Sequence, residues 1–238
     1  MGWSSFVTVL RQWLDAAQAA HFACRVDAES AQEREIVHVD AELNVLVFVA
    51  NDQLRKNQKT VVNRQVNPAT VQLNRTKYQN FRATRSASIS SVQFNQNYRI
   101  QNSQNWTGPQ YRVFHEYRPT WHDHSWWRSS PFAASIVLIG GGYYYWNSGY
   151  WYPAWGYDTS HAYYPYDGPI YAGEHQVPFD RVLATVQATL QEQGYYHGQV
   201  DGLMGPLTRD ALANYQRDNG LVSTAALDQP TLASLGLG

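Results

Sequence analysis

The chain is expected to end in an all-α domain of three short helices. The rest is expected to carry little regular order beyond an N-terminal helix, short strands and an aromatic-rich irregular middle. Three observations lead there. Residues 178–238 show apolar stripes at helical spacing, opened by capping residues and closed by glycines. Residues 51–105 are rich in asparagine, glutamine, arginine, serine and threonine and poor in large apolar side chains. Residues 106–177 crowd tryptophan and tyrosine among glycines and prolines, a composition that breaks helices.

In residues 4–35, Phe6, Val9, Leu10, Trp13, Leu14 and Ala17 recur at steps of three and four, which predicts a helix. The valine-rich run 36–50 favours one or two strands. No motif falls in residues 1–50. Cys24 is the sole cysteine, so no intrachain disulfide and no multi-cysteine metal site can form, and it reads as an ordinary thiol. The apolar runs 43–50 and 136–139 fall well short of the ~18 residues that span a bilayer. The first residues make a poor signal peptide. No lysine or arginine precedes the apolar run 3–10, and Arg11, Gln12 and Asp15 break it off before the alanines at 16–20.

Charge is segregated along the chain. Residues 1–51 hold three basic and seven acidic side chains, residues 52–128 twelve and three, and residues 129–238 three and nine. The net charge of −1 is the sum of these opposing blocks and speaks to partners rather than to fold. The polar basic stretch 51–105 cannot bury enough apolar surface to offset its chain entropy, and a flexible linker is expected there. Its positive charge would suit nucleic acid or an anionic envelope polymer, but a solvated, self-repelling spacer is the favoured role and no nucleic-acid partner is expected.

Residues 106–177 contain the strings Tyr143-Tyr144-Tyr145-Trp146 and Tyr150-Trp151-Tyr152-Pro153-Ala154-Trp155, punctuated by Gly140, Gly141, Gly142, Gly149, Gly156, Pro165 and Pro169. Tyrosine and tryptophan offer an apolar face with a polar edge. The segment reads either as a stacking surface for sugars, proteins or membrane, or as a small aromatic core.

In residues 178–238 every local signal agrees. Asp180 is expected to cap a helix bearing Val182, Leu183, Val186 and Leu190 on one stripe, with Gly194 as its stop. Turn chemistry follows at Asp201-Gly202. Gly205 and Pro206 open a second helix with Leu207, Ala211, Leu212 and Tyr215 as its buried stripe, and Gly220 ends it. Asp228 caps a third helix with Pro230 in its first turn, Leu232 and Leu235 buried, and Gly236 closing it.

The string Val186-Gln187, Leu190, Gly194-Tyr195-Tyr196-His197-Gly198-Gln199-Val200-Asp201-Gly202-Leu203-Met204-Gly205-Pro206-Leu207-Thr208-Arg209 resembles the signature of the three-helix peptidoglycan-binding domain. The likeness continues through Ala211-Leu212, Tyr215-Gln216, Gly220-Leu221, Leu227-Asp228 and Pro230-Thr231-Leu232, about a quarter of the chain. One departure is Ala225, where many members carry glycine. The stretch from Tyr111 to Tyr171 is similar to segments that precede this module in bacterial envelope proteins.

The resemblance implies a wall-binding attachment with peptidoglycan as partner, located in the cell envelope, periplasm or outside the cell. It does not settle whether the glycan strand or the stem peptide is held. By chemistry, Tyr195, Tyr196, Thr208, Arg209, Tyr215 and Gln216 are the candidate ligand contacts. Gly194, Asp201, Gly202, Gly205 and Pro206 are read as backbone devices. Other envelope polymers or proteins could meet residues 106–171.

Such modules are often tethered to hydrolases, whose catalytic residues would have to lie in front of it. The dense ligand candidates are His115-Glu116 and His122-Asp123-His124, which would serve a metal-dependent wall hydrolase. Their surroundings lack the upstream histidine and aspartate on a glycine-framed strand that such enzymes carry. The scattered carboxylates Asp52, Glu116, Asp123, Asp158 and Asp167 offer no evident glycosidase couple. A non-catalytic binding protein without cofactor or metal is expected, with a structural or adhesive envelope protein acting through the aromatic segment as the other reading.

Overall fold

Asn67 opens the first of the described helices, α1 (Pro68–Tyr78), by accepting a 3.0 Å bond from the Ala69 N–H, and Pro68 sits where no amide partner is needed. This computed structural model describes residues 66–238, which belong to one compact unit. The helix and strands expected within residues 1–50, Cys24, and the first part of the polar stretch lie outside the described residues. α1 buries Val71 and Asn74 against a later helix, where the Asn74 amide donates to Glu192 at 3.2 Å.

After α1 the chain runs through turns to two short helices, α2 (Arg112–Glu116) and α3 (His124–Ser129). Asp123 caps α3, its carboxylate accepting the Trp126 N–H at 2.8 Å. Next comes a four-stranded antiparallel meander in the order β1 (Val137–Ile139), β2 (Gly142–Asn147), β3 (Tyr150–Pro153), β4 (Ile170–Tyr171). Both tight hairpins are two-residue turns in left-handed backbone. Gly140 and Gly141 join β1 to β2 at φ 61° and 104°, and Ser148 and Gly149 join β2 to β3 at φ 49° and 86°.

The middle of the chain is therefore not irregular, which corrects the expectation of low order outside the C-terminal domain. Its aromatic rings fill a core. Tyr144 meets Tyr164 at 5.5 Å and Phe179 at 4.4 Å, and Trp155 meets Tyr164 at 4.3 Å. The buried indoles also find acceptors: Trp127 donates to the Trp155 carbonyl at 2.9 Å and Trp151 to the Val177 carbonyl at 2.6 Å.

The C-terminal domain consists of α4 (Phe179–Glu192), α5 (Pro206–Asp218) and α6 (Gln229–Ser234). All three end in one device. Gly194, Gly220 and Gly236 adopt φ between 70° and 79°, so the next residue's N–H returns to Leu190, Gln216 and Leu232 respectively at 2.8–2.9 Å. Asp228 caps α6 as expected, accepting the Thr231 N–H at 2.9 Å. Ala211, Leu212 and Tyr215 form the buried face of α5, but Leu207, expected with them, stands exposed in the first turn of the helix. Asp180 does not cap α4. The helix starts one residue before it, after Pro178, and the buried Asp180 carboxylate instead accepts the Ala83 N–H at 3.0 Å. The hydrophobic core is continuous from Ile100 and the sheet through to Leu235. Among the described residues no helix is long and apolar enough to cross a membrane.

Candidate functional site

The signature loop between α4 and α5 is fastened by one side chain. Gln187, wholly buried on α4, accepts the N–H groups of Asp201 at 3.0 Å and Gly202 at 2.8 Å. Its amide nitrogen faces the Asp201 carboxylate at 2.8 Å, the Thr208 hydroxyl at 2.9 Å and the Leu203 carbonyl at 3.1 Å. Buried in low dielectric, such a network holds the backbone to one shape. Gly202 completes it with φ 68°.

The loop between α5 and α6 repeats this construction. Gln216, wholly buried on α5, accepts the Ala225 N–H at 2.9 Å, and its amide nitrogen faces the Thr224 and Thr231 hydroxyls and the Ala226 carbonyl at 2.8–2.9 Å. Counting back from each helix cap, Gly202 and Ala225 occupy equivalent places, as do Thr208 and Thr231 counting forward. Ala225 stands at φ 53°, a left-handed conformation that explains why glycine suits this position. Burial pushes the Asp228 carboxyl above the ordinary aspartate value despite its hydroxyl and amide donors.

Of the six candidate ligand contacts, four point inward. Tyr196 is buried and its hydroxyl donates to the Gln199 carbonyl at 2.6 Å. Thr208 and Gln216 are spent on the two loop networks, and the Tyr215 hydroxyl meets Ser234 at 2.8 Å. Tyr195 packs edge-on against Tyr215 at 5.4 Å. Arg209 places its guanidinium 5.8 Å from the Tyr166 ring centre, and its charge reaches Asp167. Burial raises the Asp167 carboxyl, while the Tyr98 hydroxyl and Arg209 partly offset this. Tyr98 in turn is pushed up to about 12 by burial and by Asp167. Tyr196 and Thr208, though buried, edge an open groove beside the signature loop that the other four do not line, so the six do not form one surface.

An open groove of about 650 Å³ does lie beside the signature loop. Gln199, Asp201 and Leu207 face it from the domain, and Arg82, Arg85 and Ser88 from the segment after α1. That segment is held in place. Ala83 is bonded to Asp180, and the Tyr163 hydroxyl donates to the carbonyls of Ser86 and Ile89. A methyl group on Gly202 would come within 2.6 Å of the Phe81 ring, and one on Gly205 within 3.0 Å of Ile89. The glycines of the signature loop thus leave room for Phe81 and Ile89. Arg209 does not line the groove. Sequence reading missed Arg82 and Arg85, since their neighbours across the groove lie over a hundred positions away in sequence and the arginines themselves sit in a stretch read as spacer.

The histidines of the middle segment do not converge. His122 stacks on Trp126 with ring centres 3.5 Å apart, and His124 meets the Tyr157 carbonyl at 2.9 Å. Among the described residues, no three histidine, cysteine, aspartate or glutamate side chains stand together as a metal-holding group. The exposed aromatic surface here is built of Trp121 and Trp126, which are 53% and 41% exposed.

Three short helices, glycine-closed ends and a glutamine-fastened loop define the C-terminal quarter as a domain of the peptidoglycan-binding type. Residues 182–235 match the family described as "Putative peptidoglycan binding domain". The chain is 38% identical over 73 residues to N-acetylmuramoyl-L-alanine amidase CwlM of Mycobacterium tuberculosis, a match covering 31% of this chain and 16% of that protein. It is 44% identical over 55 residues to Localization factor PodJL of Caulobacter vibrioides, covering 23% of this chain and 6% of the relative. The chain therefore spans less than a fifth of the length of these relatives. No solved structure gives a significant match.

Proposed function

We propose that this chain is a non-catalytic peptidoglycan-binding protein of the cell envelope. The family match over residues 182–235, with its signature loop fastened as a rigid edge beside an open groove, carries this reading. The amidase named among the relatives shares only a short part of its length with this chain, so its activity is not carried over. His122 and His124 are each engaged with aromatic neighbours, which supports a structural role for them. The test is co-sedimentation of the purified chain with isolated sacculi, with soluble muropeptides as competitors. Pelleting that the competitor abolishes is the expected result. No pelleting above the protein-alone control would sink the reading, and zinc-dependent release of muropeptides would replace it with a hydrolase.

A further inference from the structure

We infer that the groove between the segment 81–89 and the signature loop is the subsite for a stem-peptide carboxylate, with Arg82 and Arg85 as its cationic wall. This rests on the wall-binding reading and adds to it which part of peptidoglycan is gripped, and by residues outside the family domain.

Charge is the first argument. Residues 178–238 hold three basic and six acidic side chains, so the domain by itself offers little to an anionic peptide. The segment laid along its signature loop brings two exposed arginines and no acidic residue. Asp201 also faces the groove, but one of its oxygens is already held by Gln187 and by the Leu203 N–H at 3.0 Å.

Fixed geometry is the second. The segment is bonded to Asp180 and Tyr163, and its apolar side chains Phe81 and Ile89 sit on Gly202 and Gly205. The Arg85 guanidinium lies 4.6 Å from the Tyr163 ring centre, a contact that orients the planar fork while leaving the side chain exposed. An arginine so oriented suits a carboxylate, which it can meet through two parallel bonds. Leu207, 64% exposed at the rim, offers an apolar contact to the peptide beside that carboxylate. The glycan hydroxyls, which are neutral, would give no reason for two arginines here.

The experiment uses the whole chain and one muropeptide in two forms, with free carboxylates and with those carboxylates amidated. Wild type should bind the free acid at least about ten-fold tighter than the amide, as expected for one charge-assisted bidentate contact. The double variant Arg82→Gln/Arg85→Gln should lose that preference and pellet less with sacculi, and Arg82→Lys/Arg85→Lys should restore it only in part. Both arginines are exposed, so circular dichroism should report an unchanged fold. Equal binding of both muropeptides by wild type that still pellets with sacculi would overturn this inference and leave the wall-binding reading intact. So would an unchanged preference in the glutamine variant, or a loss that disappears at high salt and so reflects diffuse attraction. Failure of wild type to bind sacculi or either muropeptide would remove the wall-binding reading itself.

Discussion

Replacing Gln187 with leucine should unlock the signature loop at a cost that can be worked out from its hydrogen bonds. Leucine removes the acceptor of the Asp201 and Gly202 N–H groups, neither of which has a backbone acceptor instead. The Gly202 N–H is buried and bears the full penalty; the Asp201 N–H is part-buried and bears less. The Leu203 carbonyl is spared, because the Thr208 hydroxyl still donates to it at 3.1 Å. At ~1–3 kcal/mol for each orphaned group, the loss should be about 2–5 kcal/mol. That is a large part of the ~5–15 kcal/mol that holds an ordinary domain together. Gln216→Leu orphans the part-buried Ala225 N–H. It also leaves the buried Ala226 carbonyl with the Thr224 hydroxyl at 3.3 Å, whose one proton lies nearer Asp228 at 2.6 Å, so the cost should again be about 2–4 kcal/mol. Gln187→Glu should not rescue the loop, since a carboxylate accepts the two N–H groups but faces Asp201 and the Leu203 carbonyl with nothing to donate. Urea unfolding followed by circular dichroism measures all three. A Gln187→Leu or Gln216→Leu midpoint equal to wild type would refute the reasoning.

Three further outcomes are expected. Ala225→Gly should stabilise by about 0.5–1 kcal/mol, the relief of a left-handed alanine at φ 53° less the entropy glycine gains when unfolded; thermal melts that shift down would contradict it. Phe179→Ala should cost about 3–5 kcal/mol, because the ring is buried against Tyr144 at 4.4 Å; helical and aromatic circular dichroism should then melt in one transition, and two separate transitions would show that sheet and helices do not share a core. The Asp167 carboxyl is raised by burial, so the folded state binds its proton before the unfolded chain does, and stability contributed by this group rises as pH falls through the raised value towards the ordinary 3.8. Asp167→Asn should therefore gain less on acidification than wild type, and identical urea midpoints against pH in the two proteins would refute that assignment.

The helices of the C-terminal domain were legible because their signals are local: a cap, a stripe and a glycine within fifteen residues. Asp180 was misplaced by the same locality. An aspartate at the second helical position looks like a cap in sequence, and its partner Ala83 lies 97 positions away. The sheet was hidden for another reason. Strand β2 is covered on both faces, Tyr144 by Phe179 and Tyr145 by Trp127 and Phe132, so its residues do not alternate between polar and apolar. Its two-glycine and Ser-Gly positions were legible as turns between short irregular strands, but not as the hairpins of one ordered sheet. The candidate contacts were hardest to place, because aromatic, hydroxyl and amide side chains suit a ligand and an internal network equally well by type, and only burial separates them; of the six, Tyr196 and Thr208 edge the groove.

The two glutamine-fastened loops differ in a way that bears on function. Gln216 stands four residues before the glycine that ends its helix, and Thr224 comes four residues after that glycine. Gln187 stands seven residues before Gly194, and Asp201 comes seven after it. Helix α4 thus runs nearly a full turn further past its glutamine, and the returning chain must be longer by the same amount. The minimal device, as used between α5 and α6, already suffices to close a loop around a buried glutamine, so the extra length is not needed for closure itself. What it adds is the return through Tyr196, Gln199 and Val200, and these residues line the groove opposite Arg82 and Arg85. Tyr196 stiffens that return by bonding back to Gln199, which leaves the Gln199 side chain and Val200 free to face solvent. The departure from the shorter loop therefore falls at the wall of the groove proposed to take the stem peptide, with Tyr196 tying that wall to the core.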